Sequence, residues 1–479
     1  AGDLALGIAL DEPPAGWTLG NPEDAKGTMA AVLSGAALDV DPALDWIGVE
    51  AAGPRAGHGQ PVRLSASMKP ERGCDRHLIY HPLRAVIGVG CSRDCPAEEM
   101  SYLVHDALEE ADLAHGSIAA IGSLDLKADE PAIAALSNEI GCPARFFAAS
   151  ELENEAHRLT APSDVVFNEV GCHGVAEGAA LALAGPKAQL LVPKRKSSRA
   201  TAAIALAAEP ITELVGRRRG RVSLVGIGPG QALWRTPEAS RLIAEADELV
   251  GYGLYIDLVG PLAAGKPRHD FPLGGEEDRC RFALERAGAG VDVAILCSGD
   301  AGIYAMGALV FELMDTGAAG SPLSDPARRV EVITAPGVSA LQAAAARSGA
   351  PLGHDFCAIS LSDLLTPRED ILRRLRAAAE GDFVIAFYNP VSKRRRTLLA
   401  EARDILLRHR SADCPVLLAS SLGRPDEALR HRRLADLEVD EVDMLTTVVV
   451  GSSQSRIVRV GGADRMYTPR GYAVKGVSE

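Results

Sequence analysis

Long apolar runs are missing from this chain of 479 residues. No uncharged stretch reaches the ~18–20 residues of a membrane span. The longest candidate, Val332 to Ala346, is broken by Pro336 and Gly337. Aromatic residues are scarce at 4%, which argues against a base-stacking surface. Positive charge is not in excess: 50 Lys and Arg stand against 64 Asp and Glu, a net charge of −14. General binding to nucleic acid is therefore disfavoured, although a local basic patch can still hold an anion. The start, AGDLALGIALDEPPAG, has no basic segment of the kind that opens a signal peptide. It also lacks an initiator Met, so a missing leading segment is expected. The nine cysteines are scattered and odd in number, which points to a reducing compartment and a cytoplasmic protein. Cys91, Cys95, Cys172 and His173 are the one set suggestive of a thiolate metal site. Their Cys-x-x-x-Cys spacing is not the usual pair, and no metal is expected.

What the chain has is the composition of a packed protein, 47% hydrophobic and 24% charged. At ~150 residues per domain, about three units are expected. A short basic linker, Gly216-Arg-Arg-Arg-Gly-Arg221, divides two unequal halves, and a weaker boundary lies near residues 70–84. His77 and His81 read as loop residues because Pro82 follows directly. Residues 84–210 alternate strand-like and helix-like segments. The strands are Ala85–Val89, Ile118–Ile121, Ala144–Phe147 and Gln189–Val192, and the helices Pro96–Ala111, Pro131–Ile140 and Val175–Leu183. The second half repeats this with strands Val222–Val225, Val293–Leu296, Val330–Thr334, Phe383–Phe387, Val416–Ala419 and Thr446–Val450. A helix from Pro237 is capped by Thr236. The alternation predicts an α/β fold with parallel or mixed sheets.

Ligands of open α/β sheets sit outside the carboxyl ends of strands, which points at five loops. The first is Gly226-Ile-Gly228-Pro229-Gly230. It lacks the third glycine of a dinucleotide fingerprint, since position 231 is Gln, and its helix starts only at Pro237. By itself it is a tight turn. The second, Cys297-Ser-Gly299-Asp300-Ala-Gly-Ile303-Tyr304, places one carboxylate between glycines. Asp300 suits a hydroxyl or amine partner, or an Asx turn before a helix near Ile303. The others are Ala335-Pro-Gly-Val-Ser339-Ala340, Phe387-Tyr388-Asn389-Pro390 with Lys393 to Arg396 behind it, and Val450-Gly-Ser-Ser-Gln-Ser-Arg456. Each alone is an ordinary turn; five in one α/β unit point to a ligand site.

The series GIGPG, GYGLYIDL, SGDAGIYAMG, APGVSALQAAAARSGAPLGHDF, SLSDLLTP, FYNPVSKRR and TTVVVGSSQSR resembles the precorrin-3B C-17-methyltransferase family, ring-contracting class III tetrapyrrole methyltransferases of cobalamin biosynthesis, over about residues 220–470. The resemblance implies two α/β domains, 221–335 and 336–470, with S-adenosyl-L-methionine between them. Gly299, Asp300, Ala301, Ile303, Ser339, Ala340, Tyr388, Asn389 and Thr447 would hold the cofactor. Gly226, Gly228, Pro229 and Gly230 would face a tetrapyrrole (precorrin) substrate. Lys393 and Arg394 are expected on its carboxylates, or else form a solvated helix face. Methyl transfer needs positioning, and ring contraction needs a general acid/base. His354, Tyr255 and Asp300 are the candidates, with a structural histidine as the competing reading of His354. A homodimer is common in this family.

The first half carries GVGCSRDCPAEE, SLDLKADEP, VGCHGVAE and VPKRK. Over about residues 84–208 these resemble the C-terminal domain of the CbiG family, which also exists alone as CobE-type modules. Residues 1–83 resemble the preceding region of that family in part, giving expected units 1–83 and 84–215. The family hydrolyses the lactone of a cobalt-precorrin and releases acetaldehyde. With its usual N-terminal domain absent or reduced, binding or handover of a corrinoid to neighbouring pathway enzymes is the expected role. Lys127, Lys194, Arg195 and Lys196 would hold carboxylates. Glu130, His173 and Glu177 would act as acid or base, unless the two glutamates only decorate helix starts.

Overall fold

The computed structural model of the chain describes residues 9–47, 60–315, 322–392 and 395–472. Contacts divide the chain into two compact units: Ala1–Gly220 with Gly288–Val291 and Ser324–Glu331, and Arg221–Ala287 with Asp292–Leu323 and Val332–Glu479. Among the described residues no helix is long and apolar enough to cross a membrane.

The first unit holds two sheets. In the smaller, strands β1 (Trp17–Leu19), β2 (Leu38–Val40), β3 (Val62–Ala66) and β4 (His77–Pro82) lie in the order β1-β4-β3-β2. His77 and His81 thus belong to an internal strand and not to a loop, and Pro82 only ends it. Their even spacing puts both on one face. His77 Nε2 meets Ser65 Oγ at 2.7 Å, and His81 Nδ1 meets the Ser67 carbonyl O at 2.6 Å.

The larger sheet contains β5 (Ala85–Cys91), β6 (Ile118–Leu124), β7 (Ala144–Phe147), β8 (Gln189–Lys196) and β9 (Ala200–Leu206), in the order β7-β6-β5-β9-β8. β5, β6 and β7 are parallel, as alternating strands and helices require; β9 is antiparallel to both β5 and β8. β9 is hidden in the sequence because ATAAIAL is mostly alanine, which carries little strand signal. β8 continues past Val192 through Pro193, which an edge strand tolerates. On one face of the sheet, Ile87 and Val89 pack with Met100, Val104 and Ile133. On the other, the helix Val175–Ala184 lies close across β5, where a Cβ at Gly88 would overlap the Ala176 carbonyl. The basic join is not a free linker: Arg217 exchanges backbone bonds with Phe146 of β7 at 2.7 and 2.8 Å, and its guanidinium meets Asp125 at 2.8 Å.

The second unit opens with a sheet of β10 (Arg221–Gly226), β11 (Glu248–Gly251), β12 (Arg268–Asp270), β13 (Asp292–Cys297) and β14 (Glu331–Ala335), in the order β12-β11-β13-β10-β14. β10, β11 and β12 run parallel to their neighbours in the series β12-β11-β13-β10. After the short β15 (Gly349–Ala350) comes a mixed sheet of β16 (Phe356–Ser360), β17 (Val384–Tyr388), β18 (Pro415–Ser420), β19 (Ala428–Arg433) and β20 (Thr446–Val450), in the order β16-β17-β20-β18-β19. β20 is antiparallel to both β17 and β18, while β16 and β17 are parallel. The carboxyl ends of β16, β17 and β18 and the amino end of β20 therefore share one edge. A hairpin of β21 (Arg456–Val460) and β22 (Ala463–Tyr467) pairs with β15. The helix from Pro237 starts as expected, with Thr236 Oγ1 accepting from the Ala239 N–H at 3.1 Å.

Candidate active site

Three loops meet at the carboxyl ends of β10, β13 and β14. They meet through backbone, because each brings a glycine. A Cβ at Gly226 would lie 2.6 Å from Gly337 N and 2.8 Å from the Gly299 carbonyl O, and one at Gly337 would overlap that same carbonyl. Gly228 and Gly299 form a two-bond bridge, at 3.1 and 2.8 Å, with both residues at positive φ. Asp300 fastens this junction: Oδ1 accepts from the Gly302 N–H at 2.8 Å, and Oδ2 from the Gly337 N–H at 3.0 Å. The Asx turn is real, but the helix it precedes starts at Met306, not near Ile303.

The junction forms one wall of a cavity, with Pro229, Gly299, Asp300 and Ile303 exposed to it. Tyr255 and Ser298 line it as well. The opposing wall comes from the shared edge of the mixed sheet: Tyr388 and Asn389 after β17, Leu422 and Arg424 after β18, and Thr446 and Thr447 opening β20. Ser339 and Ala340 enter from the start of the helix Ala340–Ser348. Ala301 is fully buried and does not line the cavity. Gly226, Gly228 and Gly230 shape its backbone while Pro229 reaches it. Ser339 also caps its helix, accepting from the Gln342 N–H at 3.3 Å while Gln342 Oε1 accepts from the Ser339 N–H at 2.9 Å. The Tyr388 hydroxyl accepts from the Leu341 N–H at 3.1 Å, and its ring lies 5.1 Å from that of Tyr304. Asn389, at φ 48°, donates to Ser360 Oγ at 3.2 Å. Burial pushes the Tyr255 phenol above its ordinary pKa, with Arg424 and a bond to Ser298 opposing.

Several expected residues lie elsewhere. His354 stands before β16, at the amino end of that strand, so it is at the edge opposite Tyr388. It is exposed there, with Nδ1 accepting from the Asp355 N–H at 2.9 Å. The fifth loop, Val450 to Arg456, shares that far edge because β20 runs against its neighbours. Ser452, Gln454 and Arg456 line a separate cavity with His354. Lys393 and Arg394 lie outside the described residues. Their neighbours are engaged: Arg396 pairs with Asp440 at 2.6 Å, and Arg395 approaches Asp363 at 3.9 Å. Arg424 is the cation the sequence reading missed. Among the described residues its guanidinium has no hydrogen bond or ion pair, and it faces the main cavity. The strand-end rule, applied to β18, would have found it.

In the first unit the conspicuous carboxylates are fasteners. Glu177, 2% exposed, accepts from the N–H groups of Thr160 at 2.8 Å and Lys194 at 2.9 Å and from the Thr160 hydroxyl. Glu130, also 2% exposed, accepts from the Asp94 N–H at 2.7 Å. His173 is held by Glu153 at 2.8 Å. Lys127 Nζ lies 3.7 Å from Glu130, and Lys194 Nζ donates to the Ala161 carbonyl at 2.9 Å. Arg195 turns away to pair with Glu110. Burial raises the Cys91 thiol to about 12, and no group of three or more potential metal ligands occurs among the described residues.

Residues 221–438 match the family model for Tetrapyrrole (Corrin/Porphyrin) Methylases. A "Precorrin-3B C(17)-methyltransferase" of Sinorhizobium sp is 46% identical over 255 residues, covering 53% of this chain and 98% of that protein. The chain belongs to the tetrapyrrole methylases. A methylase of this family is an enzyme, and its matched segment contains both walls of the cavity up to Arg424. A second relative, the "Probable cobalt-factor III C(17)-methyltransferase" of Salmonella typhimurium, is 44% identical, covering 53% of this chain and all of that one. The chain spans about half the length of several longer curated relatives. Among solved structures, "Crystal structure of the methyltransferase CobJ" is 39% identical, covers 52% of this chain and 99% of that one, and has a TM-score of 0.47. Residues 85–205 match the family model described as Cobalamin synthesis G C-terminus.

Proposed function

We propose that the second unit transfers a methyl group from S-adenosyl-L-methionine to C-17 of precorrin-3B, with ring contraction to precorrin-4, in cytoplasmic cobalamin biosynthesis. The observation that carries this reading is the likeness to the Sinorhizobium methyltransferase along nearly its whole length. In this reading 221–335 and 336–470 are the two methyltransferase domains, 84–215 is the companion domain, and 1–83 is a partial preceding region. The enzyme works as a homodimer and passes its product to neighbouring pathway enzymes.

The donor set of the cavity fits the cofactor. Thr447 and Asn389 offer hydroxyl and amide groups for a ribose and a purine edge, while the Thr446 hydroxyl is held by Asp443 at 2.6 Å. Ile303, Leu422 and Met444 offer apolar surface, and Gly299 leaves the backbone open to approach. When bound, S-adenosyl-L-methionine supplies an electrophilic methyl group on a sulfonium. The acceptor carbon is part of an electron-rich macrocycle, so the protein contributes position rather than a nucleophile. The junction of Gly226, Gly299 and Gly337 fixes the floor on which both reactants meet. Arg424 takes a substrate carboxylate through charge-assisted bonds. Tyr255, its pKa raised, keeps its proton near neutral pH and is the proton donor in the cavity for ring contraction. His354 is left out of the chemistry.

A second reading is favoured by the Salmonella relative, whose name gives a cobalt-containing substrate at nearly the same identity. The first unit would then hydrolyse a lactone and release acetaldehyde. The test is incubation of the full chain with S-adenosyl-L-methionine and either precorrin-3B or its cobalt counterpart, followed by mass spectrometry. One added methyl on the metal-free substrate is expected. Methyl transfer to the cobalt compound alone would select the second reading, and transfer to neither would sink both.

A further inference from the structure

The glycine junction fixes one wall of the main cavity. It does not include the loop after β18, which brings Leu422 and Arg424 to the opposing wall. That loop, Ser421 to Glu427, turns on itself. The Arg424 N–H donates to the Ser421 carbonyl at 3.0 Å, and the Glu427 N–H to the Arg424 carbonyl at 3.1 Å. Its two carboxylates are turned to their own loop: Asp426 accepts from the Ser421 hydroxyl at 2.7 Å, and Glu427 Oε2 from the Gly423 N–H at 2.7 Å. These bonds set the shape of the loop, but not its place against the loop after β10. The two loops touch closely. A Cβ at Gly230 would lie 3.1 Å from Arg424 Cγ, and one at Gly423 would lie 3.2 Å from Gln231 N.

One residue outside the cavity lining engages both loops. Arg347 stands in the last turn of the helix Ala340–Ser348. Its Nε lies 2.8 Å from Glu427 Oε1. Its guanidinium lies over the Trp234 ring, 4.3 Å from the ring centre. Trp234 ends the turn Ala232–Trp234 that follows Gly230, and its carbonyl backs Gly228, where a Cβ would come within 2.9 Å. The Gln231 amide, turned so that its oxygen faces the donors around it, accepts from Arg347 at 3.0 Å and from Trp234 Nε1 at 3.2 Å. A planar fork with a flat face can pair, donate and stack at once; a lysine ammonium is a single point charge. The pairing has a second effect. Glu427 stands three residues from Arg424 and would compete for it, but Arg347 and the Gly423 N–H occupy its two oxygens.

We infer that Arg347 is a positioning residue for the tetrapyrrole: it clamps the loop after β18 to the loop after β10 and so holds Arg424 where a substrate carboxylate arrives. This rests on the reading of Arg424 as a substrate contact. It assigns substrate affinity to a residue that the substrate does not touch. A carboxylate at the rim of the macrocycle keeps its charge through methyl transfer, so the contact is equally strong before and during the reaction. Its loss should therefore raise KM and spare kcat.

The test is steady-state methyl transfer by the full chain with precorrin-3B, with cofactor affinity measured by calorimetric titration. Arg347→Met should raise KM for the tetrapyrrole about tenfold, as loss of the Arg424 contact does. Change in kcat and in cofactor affinity should stay within about twofold. Arg347→Lys, which keeps a cation for Glu427, should recover part of the loss, and Glu427→Gln should raise KM less than Arg347→Met does. The deciding variant is the double one. If Arg347 acts through Arg424, Arg347→Met with Arg424→Ala should have a KM within about twofold of Arg424→Ala alone; independent effects would multiply to about a hundredfold over the unaltered chain. Thermal melts identify a variant that fails to fold, and Arg347→Lys and Glu427→Gln then carry the same cycle. An unchanged KM in Arg347→Met, multiplying effects in the double variant, or an equal loss of cofactor affinity overturns the inference. Absence of turnover in the unaltered chain, with precorrin-3B and with its cobalt counterpart, sinks instead the reading on which it rests.

Discussion

At the strand ends of the second unit, backbone does the building. Three glycine-bearing loops touch through their main chains, and one carboxylate, Asp300, fastens them. In the first unit, side chains do it: Glu130 and Glu177 reach across and gather the N–H groups of separate loops. The two cavities differ accordingly. The second unit's is lined by hydroxyls and tyrosines with Arg424, a cation unpaired among the described residues, while the first unit's is rimmed by four cations over an apolar floor. In both, the acidic residues most visible in the sequence are internal fasteners, and the polar groups that line the cavities are chiefly hydroxyls and cations. A buried carboxylate that accepts several bonds is saturated and has little capacity left for substrate.

The sharpest way to break this contrast is to add one methyl group in each unit. Gly337→Ala forces a Cβ against the Gly299 carbonyl and should cost about 1–3 kcal/mol of stability by overpacking. Calorimetric titration should find cofactor binding lost, because the cavity wall is that junction. Gly88→Ala, which collides with the Ala176 carbonyl, should destabilise the first unit by a similar amount. It should leave cofactor affinity unchanged within about twofold. Equal effects on the cofactor would erase the distinction between the units.

Glu177→Ala should cost about 1–3 kcal/mol in chemical denaturation, since it strands buried N–H groups. Burial pushes the Glu177 carboxyl up, but its bonds from Thr160 and Lys194 outweigh this and hold it below its ordinary value of 4.5. A depressed folded pKa gives stability that is present above pH 4.5 and is lost as pH falls through the folded value. Glu177→Gln should flatten that acid limb of the stability curve. An unchanged limb would show that Glu177 is no fastener.

Smaller effects separate ligand contacts from bystanders. Arg424→Ala should leave stability within about 0.5 kcal/mol. Steady-state kinetics should show KM for the tetrapyrrole rising about tenfold, the worth of one charge-assisted contact. Cofactor affinity should stay as it was. His354→Ala should change kcat by less than about twofold; a larger loss would restore it to the chemistry.

Much of this architecture is legible in the sequence, where apolar runs are bounded by glycine or proline. Pro131–Ile140, Ala144–Phe147 and Thr446–Val450 are read to the residue. Alanine-rich β9 and the arginine-rich edge strand β19, ALRHRR, are not, because neither carries a β-branched pattern. The strand-end rule reaches Gly299, Asp300, Ser339, Tyr388 and Asn389, all of which line the main cavity. It misleads for the loop after β20, since strand direction is set by tertiary pairing and not by local sequence. His354 has a different cause: FCAIS is not read as a strand from its sequence, so the place of His354 at the amino end of β16 is hidden. Arg195 was grouped with its lysine neighbours because a run of charges does not say which face each residue takes. Arg424 escaped because SSLGRPDE resembles any polar turn.

The most direct measurement of the central claim is carbon-13 NMR of the product formed by the full chain from precorrin-3B and S-adenosyl-L-methionine labelled in its methyl group. The account predicts a single new labelled methyl at C-17 of a ring-contracted macrocycle. A labelled methyl at another carbon, or none, would contradict it.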